Sequence, residues 1–176
     1  MVEVSGPGQI VSFCELIDET YREVGIPPPP HSLFHSALDQ LVPQGKARFF
    51  LAYDSDDCIG ARAVLTYNGM IYDWYAGASR MALSSNPNDL LVWHILKWGV
   101  ERGYSYFDFG GAGNPNEPYG PREFKRRFGG KLVSYGRYSR IYSPVDMWCA
   151  KTGLKLYRRL ADPAKKRTKT GSVGEI

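Results

Sequence analysis

The sequence predicts a mixed α/β (α+β) fold: an antiparallel strand meander plus one parallel pair joined by a crossover helix, with helices on both faces of the sheet. Three observations carry this. Asn68-Gly69 lies between two apolar runs and is a two-residue hairpin signal. Asn86-Pro87-Asn88-Asp89 has the cap, the first-turn proline and the first-turn acid of a helix start, and Gly103 sits where the C-terminal glycine belongs. An aromatic run from Tyr104 to Phe109 follows directly, so strand, helix and strand make a right-handed parallel unit.

The other elements follow in order. Residues 9–24 place Val11, Phe13, Cys14, Leu16, Ile17, Tyr21 and Val24 at helical spacing. Gly25 closes that helix, and Pro27 to Pro30 forbid its continuation. Residues 32–41 form a second helix with Ser32 as N-cap, stopped by Pro43 and Gly45. Residues 47–53, 58–67 and 70–76 are three strands, with a turn at Asp54-Ser55-Asp56-Asp57. On the crossover helix Leu91, Ile95 and Trp98 share a face with His94, which reads as a packed histidine. Pro121 opens a short helix to Phe128 that Gly129-Gly130 ends. Residues 131–142 alternate as one or two further strands. Ser143-Pro144 starts a last helix with Trp148, Leu154 and Tyr157 on its packing side.

At 176 residues, 43% hydrophobic and 23% charged, the chain reads as one globular domain over residues 1–162 with a basic, solvated tail over 163–176. A net charge of +4 is weak evidence for nucleic acid. Three unpatterned cysteines read as free thiols in a reducing cytoplasm, not as a disulfide framework or metal site. No apolar run reaches the roughly 20 residues of a membrane span, and MVEVSGPGQ lacks a signal-peptide pattern. His31 and His35 have no metal-ligand spacing, so neither a metal nor a tightly bound cofactor is expected.

The most informative segment is Tyr104 to Gly130. An aromatic strand carries Asp108 to a glycine break at Gly110, Gly111 and Gly113, and a helix then presents Arg122, Lys125, Arg126 and Arg127. In open sheets ligands bind beyond the carboxyl ends of strands where connections diverge. Those ends are Ala76-Gly77-Ala78-Ser79 and Gly110-Gly111-Ala112-Gly113, expected side by side. Asp108 reads as a buried acid paired with Arg122 or Arg126, or as a group orienting an amine. Trp74 and Tyr75 read first as core and sheet surface, and otherwise as walls for a ligand. Phe124 and Phe128 share one helical face, and Arg122 and Arg126 another with Lys125 beside it. A solvated basic face is the alternative for these cations. Ser79 lacks the context of a nucleophile, so direct attack by an amine fits better than a covalent intermediate.

The order of elements resembles the GNAT (N-acetyltransferase) fold. The blocks Asp73-Trp74-Tyr75-Ala76-Gly77-Ala78-Ser79, Asn88 to Trp93, Phe107-Asp108-Phe109-Gly110-Gly111 and Phe124-Lys125-Arg126-Arg127-Phe128-Gly129-Gly130 are similar to the C-terminal half of the Fem-type aminoacyltransferases. The resemblance covers roughly residues 10–145. It implies an acyl- or aminoacyltransferase acting on an amine of a cell-envelope, peptidoglycan-like precursor or of a small acceptor, with aminoacyl-tRNA or acyl-CoA as donor. It implies that Lys125, after Phe124, stabilises the transition state. Arg122 and Arg126 then hold phosphates, and Asp108 orients the amine. Trp74, Tyr75, Ser79, Gly110, Gly111, Asn114 and Tyr119 then line the substrate site. Two departures stand out. Fem-type proteins carry two GNAT-like domains, so a single domain points to a homodimer, a partner domain or an accessory module. The Gln/Arg-x-x-Gly-x-Gly/Ala loop that holds the pyrophosphate of acetyl-CoA is missing, because Arg80 to Asn86 contains no glycine.

Overall fold

The computed structural model describes residues 1–161 except Ser5, Tyr135 and Arg137; the expected basic tail, 163–176, lies outside the described residues. The elements are β1 (Val2–Glu3), α1 (Pro7–Glu23), α2 (His31–Gln40), β2 (Ala47–Asp54), β3 (Asp57–Tyr67), β4 (Met70–Ala78), a 3-10 helix (Arg80–Ser85), α3 (Pro87–Glu101), β5 (Tyr106–Asp108), α4 (Gly120–Arg126) and α5 (Pro144–Ala161). They build one five-stranded sheet in the order β1-β2-β3-β4-β5, with all neighbours antiparallel except the parallel pair β4 and β5.

The predicted α/β class and the crossover are present, and strand alternation explains how the sheet is covered. Ala47, Phe49 and Leu51 of β2 face α1 and α2, where they meet Ile10, Phe13, Ile17 and Phe34. Phe50 and Ala52 face the other way, onto Leu91, Ile95 and Trp98 of α3. His94 packs edge-on against Phe50, its ring centroid 5.7 Å away. Asn68 and Gly69 both adopt positive φ, 46° and 74°, as the tight hairpin turn demands.

The structure differs from the expected elements in six places. Val2–Glu3 adds a short edge strand that two residues cannot announce by period. Val11 and Val24 point to solvent, and Ile10 takes a core position. Pro30, not Ser32, precedes the second helix. The Tyr104–Phe109 strand is only Tyr106–Asp108, because Tyr104 folds back to stack on Trp98 with centroids 5.4 Å apart. Among the described residues of 131–142 there is no strand, and on α5 Trp148 and Leu154 are exposed instead of packed.

Gly77 shows what fixes the sheet against α1. A Cβ there would lie 2.7 Å from the carbonyl oxygen of Leu16 and 3.0 Å from the amide nitrogen of Ile17. These are helix backbone atoms and cannot swing aside. Gly77→Ala is therefore expected to cost about 1–3 kcal/mol, read as a fall in Tm of about 2–4 °C per kcal/mol at this chain length. An unchanged melting curve would contradict this packing.

Candidate active site

β4 and β5 pair only from Met70 opposite Tyr106 to Tyr72 opposite Asp108. β5 then ends, whereas β4 runs on to Ala78 along β3. The two parallel strands part at their carboxyl ends, where an open sheet leaves a ligand crevice. The opening is about 730 Å³, and residues from both faces of the sheet line it. Thr20, Tyr21 and Glu23 reach it from α1, Arg62 and Asn88 from the α3 face, Phe109 to Gly111 from the β5 side, and Tyr119, Phe124 and Lys125 from α4 and its approach.

A bulge in β4 sorts the side chains. Ala63 pairs with Tyr75 but Val64 pairs with Asp73, so Trp74 is the extra residue. Trp74 and Tyr75 both turn toward α2, where Phe34 meets their rings edge-on at 6.1 and 5.0 Å. Asp73 turns to the opposite face and meets Arg62.

That pair is the floor of the crevice. Arg62 Nη1 donates to Asp73 Oδ2 at 2.7 Å, and the side chains are 3% and 10% exposed. Arg62 Nη2 donates to Asn88 Oδ1 at 3.3 Å, which ties β3 to the start of α3. Arg62 Nε and Asp73 Oδ1 are buried without a partner. Burial outweighs the pull of Arg62 and Lys125 and raises the Asp73 carboxyl above the usual aspartate value. Phe124 covers this floor, its ring centroid 6.0 Å from the Arg62 guanidinium carbon and 5.2 Å from that of Arg127. Arg127 in turn bridges to Asp89 at 3.0 Å, which docks α4 on α3.

Lys125 closes the other side. Its Nζ donates to the carbonyl oxygens of Phe109 and Gly111, each at 2.6 Å. An ammonium has three N–H donors, so one is left. Burial lowers its pKa below the ordinary lysine value, partly opposed by Asp73 and Asp108. The fixed loop includes Gly110 at φ 67°, where a Cβ would stand 3.2 Å from the Tyr72 hydroxyl.

The structure brings Trp74, Tyr75, Gly110, Gly111, Tyr119, Phe124 and Lys125 together around this crevice, with Gly77 on its wall. It places the other expected site residues elsewhere. Asp108 is exposed and accepts the amide of Gly110 at 2.7 Å; it makes no ion pair with Arg122 or Arg126, whose guanidinium groups go to loop carbonyls and to Glu123 instead. The Arg122 guanidinium is spent on the loop, donating to the carbonyl oxygens of Ala112, Asn114 and Glu117. Arg126 is exposed and bridges to Glu123 at 3.4 Å. Asn114 bonds Glu117 and the amide of Asn116 within the same loop. Ser79 lies outside the crevice, in a shallow recess with Glu15, Glu19 and Cys58. Arg62, Asp73 and Asn88 were missed by the sequence reading. One charge inside the apolar run 58–67 and one acid in the strand it pairs with were the available signal.

Residues 3–126 match the acetyltransferase (GNAT) domain family. The chain belongs to that family and carries its acyltransferase fold. Members use acyl-CoA as a substrate, not as a tightly held cofactor. The solved structure of FemX is similar at 16% identity and a TM-score of 0.65, over 73% of this chain and 50% of that one. The chain thus spans half the length of FemX. The aminoglycoside 6'-N-acetyltransferase AAC(6')-IG from Acinetobacter haemolyticus is similar at 13% identity and a TM-score of 0.61, over 81% of this chain and 99% of that one. A probable acetyltransferase is similar at 11% identity and a TM-score of 0.62, over 81% and 99%. At these identities the likeness establishes the fold. No protein of curated function matches the sequence. Among the described residues no group of three His, Cys, Asp or Glu could hold a metal, and no helix is long and apolar enough to cross a membrane.

Proposed function

We propose that the chain transfers an acyl or aminoacyl group to the amine of a cell-envelope precursor by direct attack within a ternary complex. The observation that carries the chemistry is Lys125: a half-buried ammonium held by two loop carbonyls on the wall of the crevice, with one N–H to spare. A fixed cation on the wall of a crevice is suited to charge developing on a carbonyl oxygen. Phe124 shields the floor from water. Trp74, Tyr75 and Tyr119 form aromatic walls for the acceptor. Arg122 acts here as the clamp of the 112–117 loop, and Asp108 as the turn that sets Gly110. The envelope acceptor rests on the likeness of the sequence blocks around Phe124-Lys125 to the Fem-type enzymes.

The donor is an aminoacyl ester of tRNA on this reading. The segment before α3, where the glycine-rich loop of acyl-CoA enzymes would lie, is wound into a 3-10 helix over Arg80–Ser85. Asp89 already places a negative charge in the first turn of α3. Both features disfavour a pyrophosphate. Calorimetry with alanyl-tRNA and with acetyl-CoA tests this: heat is expected from the first only, and measurable acetyl-CoA affinity would overturn the donor. The half-length match to FemX supports a second reading, in which a second copy or a second GNAT-like domain completes the acceptor cleft and the lone chain is an accessory module. Light scattering on the purified chain, with and without donor, decides between a monomer and a dimer.

The pKa of Lys125 sets a further expectation. The cation must be present to hold an oxyanion. Because burial lowers its pKa, activity is full at lower pH and is lost as pH rises through a value below that of ordinary lysine. The profile of kcat/KM should carry that alkaline limb, and Lys125→Arg should move it upward. A limb that does not respond to the substitution would remove Lys125 from the assignment.

A further inference from the structure

We propose that α5 is a membrane-surface helix. Its outward face, Val145, Trp148, Lys155, Leu156 and Arg159, lies in the interface of a bilayer that contains anionic lipid. This is independent of the chemistry assigned to Lys125 and holds whichever amine is the acceptor.

Charge is segregated along the chain. Residues 1–143 contain 14 Lys and Arg against 15 Asp and Glu, so that part is close to neutral. The net charge of +4 arises beyond Ser143, where eight cations face three acids. Four of those cations, Lys151, Lys155, Arg158 and Arg159, stand on α5. Its one acid, Asp146, is in the first turn, where the helix dipole favours it. A positive charge gathered at one end of a chain marks an anionic partner.

α5 also lies outside the core. From Pro144 to Arg159 every residue is exposed except Tyr157, which is half-buried. A helix of this length is marginal alone in water, and most helical stability comes from covering an amphipathic face. Exposure sorts its two sides. Tyr157, Leu154 and Met147 are its least exposed large apolar side chains, and they share the side near Gly25, where an added Cβ would stand 3.9 Å from Cγ of Arg158. Val145, Trp148 and Leu156, exposed by 69%, 67% and 58%, lie away from it. They fall within an arc of about 100° that also holds Lys155 and Arg159.

This mixture selects the partner. Lys and Arg lay their stems along apolar surface and keep their charge among headgroups. A Trp ring settles at headgroup level, and Val145 and Leu156 reach the acyl boundary beneath it. A nucleic acid would meet the cations but leave Val145 and Leu156 in water. With Lys151 and Lys155 in its middle, α5 lies on a bilayer and does not cross it. Gly25 follows α1 closely, and the last turn of α1 lines the crevice through Tyr21 and Glu23. The docked bilayer is therefore separated from the end of α1 by little more than the width of α5, roughly 10 Å.

Flotation of the full chain with vesicles tests this. Vesicles of phosphatidylcholine mixed with phosphatidylglycerol should carry the chain upward, and phosphatidylcholine alone should not. Lys155→Gln with Arg159→Gln should weaken binding about 30-fold, or about fivefold per cation, and added salt should weaken the unaltered chain in the same direction. Leu156→Ser should weaken it about tenfold without lowering Tm, because Leu156 is exposed. The mixed vesicles should shift tryptophan emission to the blue, and Trp148→Phe should abolish most of that shift. No binding to the mixed vesicles, equal binding to both lipids, or full binding by the doubly substituted chain would each overturn the proposal. Full binding by Leu156→Ser would leave only a diffuse attraction and end the interfacial helix. Displacement of the vesicles by tRNA, with Leu156→Ser binding tRNA unchanged, would assign the face to nucleic acid instead. A dimer in light scattering that Leu156→Ser breaks would assign it to a second copy.

Discussion

Replacing Lys125 by methionine is expected to lower kcat by about 10²–10³-fold, the usual loss when one donor to a developing oxyanion is removed. The side chain has two tasks, and the kinetics separate them. Its bonds to the carbonyl oxygens of Phe109 and Gly111 hold the loop that ends β5. If that were its only task, loosening the loop would displace both substrates and raise KM together with any fall in kcat. If the third N–H meets the acyl oxygen only as it becomes charged, kcat and kcat/KM fall in parallel while KM stays nearly constant. Methionine keeps the unbranched stem and so most of the bulk that Lys125 gives the crevice wall. A full-speed Lys125→Met enzyme would end the proposed role. A rise in KM with unaltered kcat would reduce Lys125 to a loop clamp.

How the site could be read in the sequence depends on what each residue answers to. The Asn68-Gly69 hairpin and the capped α3 are local decisions of the chain, and both stand where local chemistry places them. Lys125 and Phe124 were legible through a motif on one short helix. Asp73 was not, because its orientation is set by a bulge. Simple alternation puts Asp73 and Tyr75 on one face of β4. The extra residue Trp74 reverses this and sends Asp73 to Arg62 while Tyr75 goes to Phe34. Asp108 looked buried because its neighbours are aromatic. Yet the Phe107 and Phe109 rings pack on each other, 4.6 Å apart, and β5 has no further strand over it among the described residues. Gly77 shows the converse: a glycine at a sheet edge suggests a ligand, and its closest neighbour is the backbone of α1. Alternation in 131–142 could not say whether a partner strand would be there.

Arg62→Met should be the most destabilising single change at the site. It removes the only hydrogen-bond donor to the Asp73 side chain among the described residues, and leaves a carboxylate about nine-tenths buried. Breaking a buried pair from one side costs about 3–5 kcal/mol, which at this length is a Tm lower by about 6–20 °C. The loss must depend on pH. Burial already raises the Asp73 carboxyl above its usual value, and without Arg62 it rises further. A group whose folded pKa is raised adds stability that is complete below the unfolded value and lost as pH rises through the folded one. The deficit of Arg62→Met should therefore be small in acid, where Asp73 is neutral, and grow toward neutral pH. Adding Asp73→Leu removes the stranded charge and should recover much of the stability, because a well-packed apolar pair can equal a buried ion pair. The double variant should nevertheless lose acyl transfer. The pair then proves to be kept for the polar floor it gives the crevice and not for the strength it lends to the sheet. A double variant that melts no higher than Arg62→Met alone would instead mean that the damage lies in lost packing against Asn88 and Phe124.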